Sequence, residues 1–362
     1  MYSCRIRIIV LLSFFSLGIS AQQGLIQQHL DRVVSDKKVM GVSAAYAIDG
    51  EIITSAKAGM ADKKQGIGFT DDTRVRMGSI AKPMTALAVM QLVEKGLIDL
   101  DASIQSYIPE YPKHKSTQIT TRHLLSHTSG IDGYKDGKES NTTEKYPSLT
   151  DALDLFKDRP LLFEPGTRYS YTTYGYTVLG VIIEKVSNQT FEEYMQTNIW
   201  DIAGMDDTGI VRYEEHVDKG SLLYTRNNGK GKAKSVKENN LSNRLPGGGF
   251  YTSVNDMLKF GQAVIDHTLV SESTLDLMRQ HHSLEKENNS YGFGWFLYNP
   301  KPNVGEIMGH PGAQTGCTSF LFIVPKLKVT CIILSNTSRA QSSIDPIANE
   351  ILGQAVAAAK KG

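Results

Sequence analysis

Apolar and polar positions follow two rhythms along this chain, and the rhythm changes with position. Residues 24–38 place apolar side chains at helical spacing and read as a short amphipathic helix. Two β-rich runs follow, Val42–Ile48 and Glu51–Lys57, joined by Asp49-Gly50, a hairpin signal. Residues 80–95 form a strong helix rich in Ala, Leu and Met, with Gly96 placed to stop it. Shorter helices fit 121–127, 151–158 and 172–187, and another starts at Thr190, where Glu193 completes a capping box. Polar runs at 132–148 and 226–243 read as surface loops. The second holds Arg226, Lys230, Lys232, Lys234 and Lys237, and reads as solvated. Pro246-Gly247-Gly248-Gly249-Phe250 is a glycine-rich turn before a helix over 253–265. Two dense strands come late, Thr318–Val324 and Val329–Leu334, and 341–359 closes the chain as a helix. Strand-rich ends therefore flank a helical middle. The expected class is α/β (α+β): residues 22–80 plus 246–362 form an α/β domain, and 81–245 a mostly helical inserted domain.

The first 21 residues stand apart from this pattern. Arg5 and Arg7 precede an apolar run, Ile8–Ile19, which ends in the small residues Ser20 and Ala21. That is the layout of a secretory signal peptide cleaved after Ala21, and the run is short for a membrane span. A periplasmic or secreted location follows, with no stable span in the mature form. Over all 362 residues the apolar fraction is 40% and the charged fraction 21%, which suits a folded globular chain. Lys+Arg number 39 against 38 Asp+Glu, for a formal charge of +1. Loss of the two leader arginines turns that into −1. Neither value favours nucleic acid or an anionic surface. Three cysteines make no disulfide scaffold and no zinc-thiolate spacing. With a turn centred on Lys326–Leu327, Cys331 faces residue 322 and not Cys317, so no bridge is expected.

Three stretches carry candidate chemistry. In Gly78-Ser79-Ile80-Ala81-Lys82-Pro83, Ser79 and Lys82 share a helix face one turn apart. A lysine with a lowered pKa can take the proton of a serine hydroxyl. Pro83 fits only near a helix start, which keeps Ser79 at the terminus. The same residues also fit a helix-capping serine and a surface lysine. In Tyr169-Ser170-Tyr171-Thr172-Thr173-Tyr174, Tyr171 just before a helix fits either a cleft base beside a lysine or aromatic packing. Gly309-His310-Pro311-Gly312-Ala313-Gln314-Thr315-Gly316 brings three glycines before a strand. Its N–H groups can join that of Ser79 in an oxyanion hole. It also fits a tight turn with a surface histidine. His123 and His127 are four apart without a H-E-x-x-H pattern and are not read as metal ligands; His127 is expected to pack or hydrogen-bond near the domain junction. Tyr134 lies in a loop that can border the cleft, and Trp200 and Trp295 are assigned to packing.

Taken together and in order, these stretches resemble the serine beta-lactamase and penicillin-binding protein superfamily, which carries S-x-x-K, then Y-x-N, then K-T-G or H-x-G. The resemblance runs across most of residues 30–340, through ITTRHLLSHTSGI, FEPGTRYSYTTYGYTVLG, PGGGFYTSVNDMLKFG, YGFGW and GHPGAQTG. It is strongest toward the class C-like branch and the mitochondrial beta-lactamase-like serine protease with its bacterial counterparts. It implies a beta-lactamase/transpeptidase-like fold, an antiparallel sheet flanked by helices. It implies an exported serine hydrolase working through an acyl-enzyme on an amide or ester, of a D-Ala-D-Ala carboxypeptidase-like or esterase-like kind. A class C-type beta-lactamase and a non-catalytic penicillin- or peptidoglycan-peptide-binding protein are the alternatives. By motif position Ser79 is the nucleophile. Lys82 is a base that also keeps Tyr171 partly ionised, and Tyr171 is the proton shuttle. Ser79 and Ala313 supply oxyanion-hole N–H groups, while Thr173, His310 and Gly312 bind substrate, the last two from an edge strand. No cofactor or metal is implied. The partner is a small-molecule or peptide substrate, with peptidoglycan-derived peptides among the candidates. Two positions depart from the pattern. Thr173 replaces Asn and lacks its paired amide donor and acceptor. His310 replaces Lys, which removes a fixed positive charge and weakens an antibiotic-resistance reading.

Overall fold

The computed structural model describes residues 24–113, 118–282 and 290–361; the expected leader, residues 1–21, lies outside the described residues. The chain opens with α1 (24–35) and a hairpin of β1 (Gly41–Ile48) and β2 (Glu51–Asp62). Asp49 and Gly50 both take positive φ, 51° and 79°, the turn expected from the D-G pair. Short strands β3 (Ile67–Gly68) and β4 (Val75–Arg76) lead to a single 3₁₀ turn, Gly78–Ile80, and then α2 (Ala81–Glu94). The helical middle holds α3 (Thr121–Leu125), α4 (Gly137–Ser140), α5 (Leu149–Leu153), α6 (Tyr174–Ser187), α7 (Phe191–Met195) and α8 (Asp201–Ala203). The Thr190–Glu193 capping box forms as expected, with Thr190 N donating to Glu193 Oε2 at 2.9 Å.

Strands β5 (Gly209–Ile210), β6 (Tyr224–Asn227) and β7 (Lys230–Ser235) come next, then α9 (Leu245–Gly248) and β8 (Phe250–Thr252). Helices α10 (Val254–Ile265) and α11 (Glu272–Met278) precede β9 (Phe296–Lys301), β10 (Gly305–Gln314), β11 (Cys317–Val324), β12 (Val329–Ser335) and β13 (Thr337–Ser338), and α12 (Gln341–Ala359) ends the fold.

Both chain ends build one seven-stranded sheet in the order β3-β2-β1-β12-β11-β10-β9, antiparallel throughout. Its central strands are buried on both faces, so they read as dense apolar runs, not as alternating ones. Side chains still alternate between two cores. Val42, Ala44, Tyr46, Cys331 and Ile333 meet Ile26 and Leu30 of α1 and Ile344 and Ile347 of α12. Ala45, Ala47, Ile332 and Leu334 face Leu87 of α2 and Met257 and Phe260 of α10. That second core runs on into the helical middle through Leu179, Ile182 and Trp200. Trp295 is fully buried as well. Cys331 pairs with Phe322, as the turn position requires, and Cys317 and Cys331 are both free.

Three expectations need correction. Residues 226–243 are not one loop. Their first part belongs to a β6–β7 hairpin turned by Asn228 and Gly229, both at positive φ, and held by the parallel pair Thr337↔Tyr224. Pro246–Gly249 is no simple turn, because Leu245–Gly248 coil into α9. Third, Gly309–Gln314 is strand, not tight turn, and β10 is the penultimate strand of the sheet. The edge strand β9 covers only its first half, since their pairing ends at Gly309↔Phe296. His310–Gln314 run beyond that point, where the missing N–H of Pro311 is tolerated.

Candidate active site

Four pieces of backbone converge on one cavity: the 3₁₀ turn before α2, the segment entering α6, the α9 turn and the far end of β10. The cavity has a volume of about 280 Å³ and is lined by Ser79, Tyr134, Asn141, Tyr171, Thr173, Arg244, Gly247, Gly248, Ala313, Gln314 and Thr315, among others. The turn is pinned against β10. Gly78 adopts φ +60°, and a Cβ there would lie 2.8 Å from Ala313 N. A Cβ on Gly312 would meet Met77 O at 2.2 Å and Ser319 Oγ at 2.1 Å. Only glycine lets strand and turn touch at these two places. Ser319 Oγ then donates to Met77 O at 2.8 Å and fixes the contact.

Lys82 lies in the first turn of α2 with 0% exposure. Its Nζ is 3.2 Å from Ser79 Oγ, 3.4 Å from Thr173 Oγ1 and 2.7 Å from the carbonyl of Gly247, to which it donates. No carboxylate pairs with it among the described residues. Burial first, and the positive charge of Arg244 second, hold its pKa well below the ordinary lysine value. A neutral amine fits this shell: it can donate to Gly247 and Thr173 and accept from the Ser79 hydroxyl.

Tyr171 lies over the same amine, with Lys82 Nζ 4.8 Å from its ring centroid and a hydrogen bond to Ser79. Burial raises its pKa well above the ordinary phenol value, only partly offset by that bond. The expected partly ionised Tyr171 is therefore not what this environment favours. Both shifts point to a neutral lysine beside a neutral phenol. Lys82 is fully buried, which penalises its charge, whereas Tyr171 is 36% exposed at the cavity and its preference for the neutral form is the weaker of the two. His127 packs on Tyr171 with centroids 4.3 Å apart and the rings tilted by 41°, and also packs on Tyr176 and Tyr291. Its Nδ1 accepts from Thr172 N, and its pKa is pushed well below the ordinary value by burial.

The structure brings Ser79, Lys82, Tyr171, Thr173 and Ala313 together around the cavity. His310 and Gly312 do not line it. His310 is 1% exposed, with Nε2 3.1 Å from the Tyr291 hydroxyl and Nδ1 2.7 Å from the carbonyl of Pro311. Burial lowers its pKa to about 3, so the ring is neutral. Sequence reasoning missed Arg244, Tyr291 and the carbonyl of Gly247. The glycine run signalled close approach near 247, but nothing in the local sequence marks Arg244 as different from a surface arginine.

A sheet closed by helices on both faces, with a buried lysine set against a serine one helical turn away, defines the class: a serine hydrolase of the beta-lactamase/transpeptidase-like fold. The chain matches the Beta-lactamase family over residues 24–353 and belongs to that family. It is 26% identical to the mitochondrial serine beta-lactamase-like protein LACTB of Mus musculus, over 86% of this chain and 73% of that protein. It is 27% identical to penicillin-binding protein 4* of Bacillus subtilis, over 85% of this chain and 71% of that one. The crystal structure of a penicillin-binding protein from Bacillus halodurans superposes with a TM-score of 0.73 at 26% identity, covering 87% of this chain and 98% of that one. No helix among the described residues is long and apolar enough to cross a membrane.

Proposed function

We propose that this protein is an exported serine hydrolase that acylates Ser79 from an ester or amide and passes the acyl group to water. One observation carries the reading: the buried Lys82 amine, 3.2 Å from Ser79 Oγ and paired with no carboxylate among the described residues. Lys82 takes the Ser79 proton as Oγ attacks the substrate carbonyl carbon. The N–H groups of Ser79 and Ala313 hold the oxygen that becomes negative. The C–O or C–N bond to the leaving group then breaks, and the leaving group receives the proton from Lys82 through the Tyr171 hydroxyl. Water repeats the attack in reverse roles and frees Ser79. Thr173 borders substrate and amine together. His310 and Gly312 serve the site through β10: Gly312 by letting the strand reach the turn, His310 by packing under Tyr291.

The substrate class in this reading is a peptide or carboxylic ester, ahead of a beta-lactam. A neutral, buried His310 offers no fixed positive charge from the third motif. Removal of residues 1–21 places the enzyme in the periplasm or outside the cell, and N-terminal sequencing of the exported form is expected to begin at Gln22. A fluorophosphonate probe should label the wild-type protein and leave Ser79→Ala unlabelled. Equal labelling of the two, or none, overturns the nucleophile assignment. A panel of 4-nitrophenyl esters, D-Ala-D-Ala peptides and nitrocefin then sorts the substrate. Nitrocefin turned over as fast as the best ester or peptide contradicts the preference.

A further inference from the structure

Arg244 stands just before α9, three residues ahead of the carbonyl that binds Lys82. It is 4% exposed, yet it is one of the residues that line the cavity. Nη2 donates to the carbonyl of Ser140 at 2.6 Å, and Nε to Asn243 Oδ1 at 3.0 Å. The guanidinium carbon lies 4.6 Å from the Tyr134 ring centroid. All these partners are neutral, and no carboxylate pairs with Arg244 among the described residues. Nearby arginines are treated differently. Arg76 reaches Glu238 at 2.6 Å, and Arg159 reaches Glu139 at 2.9 Å. Among the described residues no Asp or Glu lines the cavity either. A buried, permanently charged group without an anion is costly, and an incoming anion relieves that cost.

The position of Arg244 says which part of a substrate it meets. Gln314 Nε2 donates to the carbonyl of Gly248 at 2.9 Å, and Thr315 Oγ1 donates to Asn141 Oδ1 at 3.0 Å. Asn141 adjoins Ser140, whose carbonyl Arg244 holds. The wall therefore runs without a break from Ala313 through Gln314, Thr315 and Asn141 to Arg244. Under the proposed mechanism, a substrate carbonyl held by the Ser79 and Ala313 N–H groups with its leaving group toward Tyr171 would lay its acyl substituent along this wall. We infer that Arg244 recognises a carboxylate carried by the acyl part of the substrate. This rests on the serine-hydrolase reading above and narrows it to acyl donors with an anionic end. A planar carboxylate suits the fork of a guanidinium that still has Nη1 to give.

The test compares mono-4-nitrophenyl adipate with its methyl ester, which keeps the length and removes the charge. Wild-type kcat/KM should favour the free acid by about tenfold or more. In Arg244→Gln the ratio should fall to about one, while Arg244→Lys should keep part of it. The ratio cancels any general loss of activity, and the wild-type ratio stands even where a variant does not fold. A wild-type ratio near one, or an unchanged ratio in folded Arg244→Gln, overturns the inference. A second pair, an acyl-D-Ala-D-Ala peptide and its C-terminal amide, puts the charge on the leaving group. A carboxylate preference confined to that pair also overturns it. Turnover without preference leaves the hydrolase reading standing. No turnover together with no fluorophosphonate labelling takes down both.

Discussion

Replacing Gly78 by alanine tests whether the contact between the 3₁₀ turn and β10 builds the oxyanion hole. The new Cβ would lie 2.8 Å from Ala313 N, 3.2 Å from Gly312 C and 3.3 Å from Ala313 C. All three are backbone atoms, so no flexible side chain can yield. The strand cannot retreat freely, because Ala313 pairs with Thr318 on β11 and Ser319 holds Met77. Alanine at φ +60° adds left-handed strain of about 1–2 kcal/mol, and overpacking adds about 1–3 kcal/mol. The expected loss of stability is thus about 2–5 kcal/mol, read from urea unfolding. The turn must then move away from Ala313, which separates the two N–H groups. Loss of one such donor lowers kcat by about 10²–10³-fold. The assay is steady-state hydrolysis of a 4-nitrophenyl ester on variant shown to be folded by circular dichroism. The fall should lie in kcat, with KM little changed. Gly353→Ala, in α12 with nothing within 4 Å of the new Cβ, is the matched control and should be neutral or slightly stabilising. A folded Gly78→Ala protein with kcat within about threefold of wild type would refute the oxyanion geometry argued here.

Two further predictions concern protons. In the proposed mechanism acylation needs neutral Lys82, so kcat/KM should rise with pH through a pKa well below the ordinary lysine value and then level off. Arg244→Gln removes a positive neighbour, raises that pKa and should move the acid limb to higher pH; a limb that stays or moves down contradicts the assignment. Folding should weaken in acid. The folded state holds His310 neutral down to about pH 3, and His127 is also held well below its ordinary value. The unfolded chain binds these protons near pH 6.5, so stability should fall as pH drops from about 6.5 toward 3. Thermal melts across that range check it, and His310→Asn should flatten the profile; an unchanged slope counts against the buried neutral ring.

Much of this fold was legible because local signals and burial agreed. The D-G turn, the Ala- and Leu-rich α2 and the dense runs of β11 and β12 each announce one structure, and the β11–β12 register followed from Pro325 and its neighbours. The failures share a cause. Gly309, Pro311 and Gly312 read as turn residues, yet the sheet makes them strand because Gly312 must lie against Met77, a contact far away in sequence. Asn228-Gly229 is a hairpin turn hidden by flanking lysines that give no apolar alternation, and β6 is held by β13 from the far end of the chain. The serine, lysine and tyrosine each also fitted a purely structural role, and it was the resemblance of the three stretches in order that singled them out. Arg244 could not be singled out, because what distinguishes it is that no carboxylate among the described residues pairs with it in three dimensions. The direction of the Lys82 shift was equally invisible, since it depends on how completely the surrounding elements bury the amine.

In the proposed mechanism Ser79, activated by Lys82, carries the acyl group covalently between the two half-reactions. The most direct measurement is intact-protein mass spectrometry after rapid acid quenching of the enzyme with a 4-nitrophenyl ester, followed by peptide mapping. The expected result is a mass increase equal to the acyl group, located on the peptide containing Ser79, that decays as product forms and is absent in Ser79→Ala and Lys82→Ala. Turnover in Ser79→Ala, or an acyl group mapped to another residue, would contradict it.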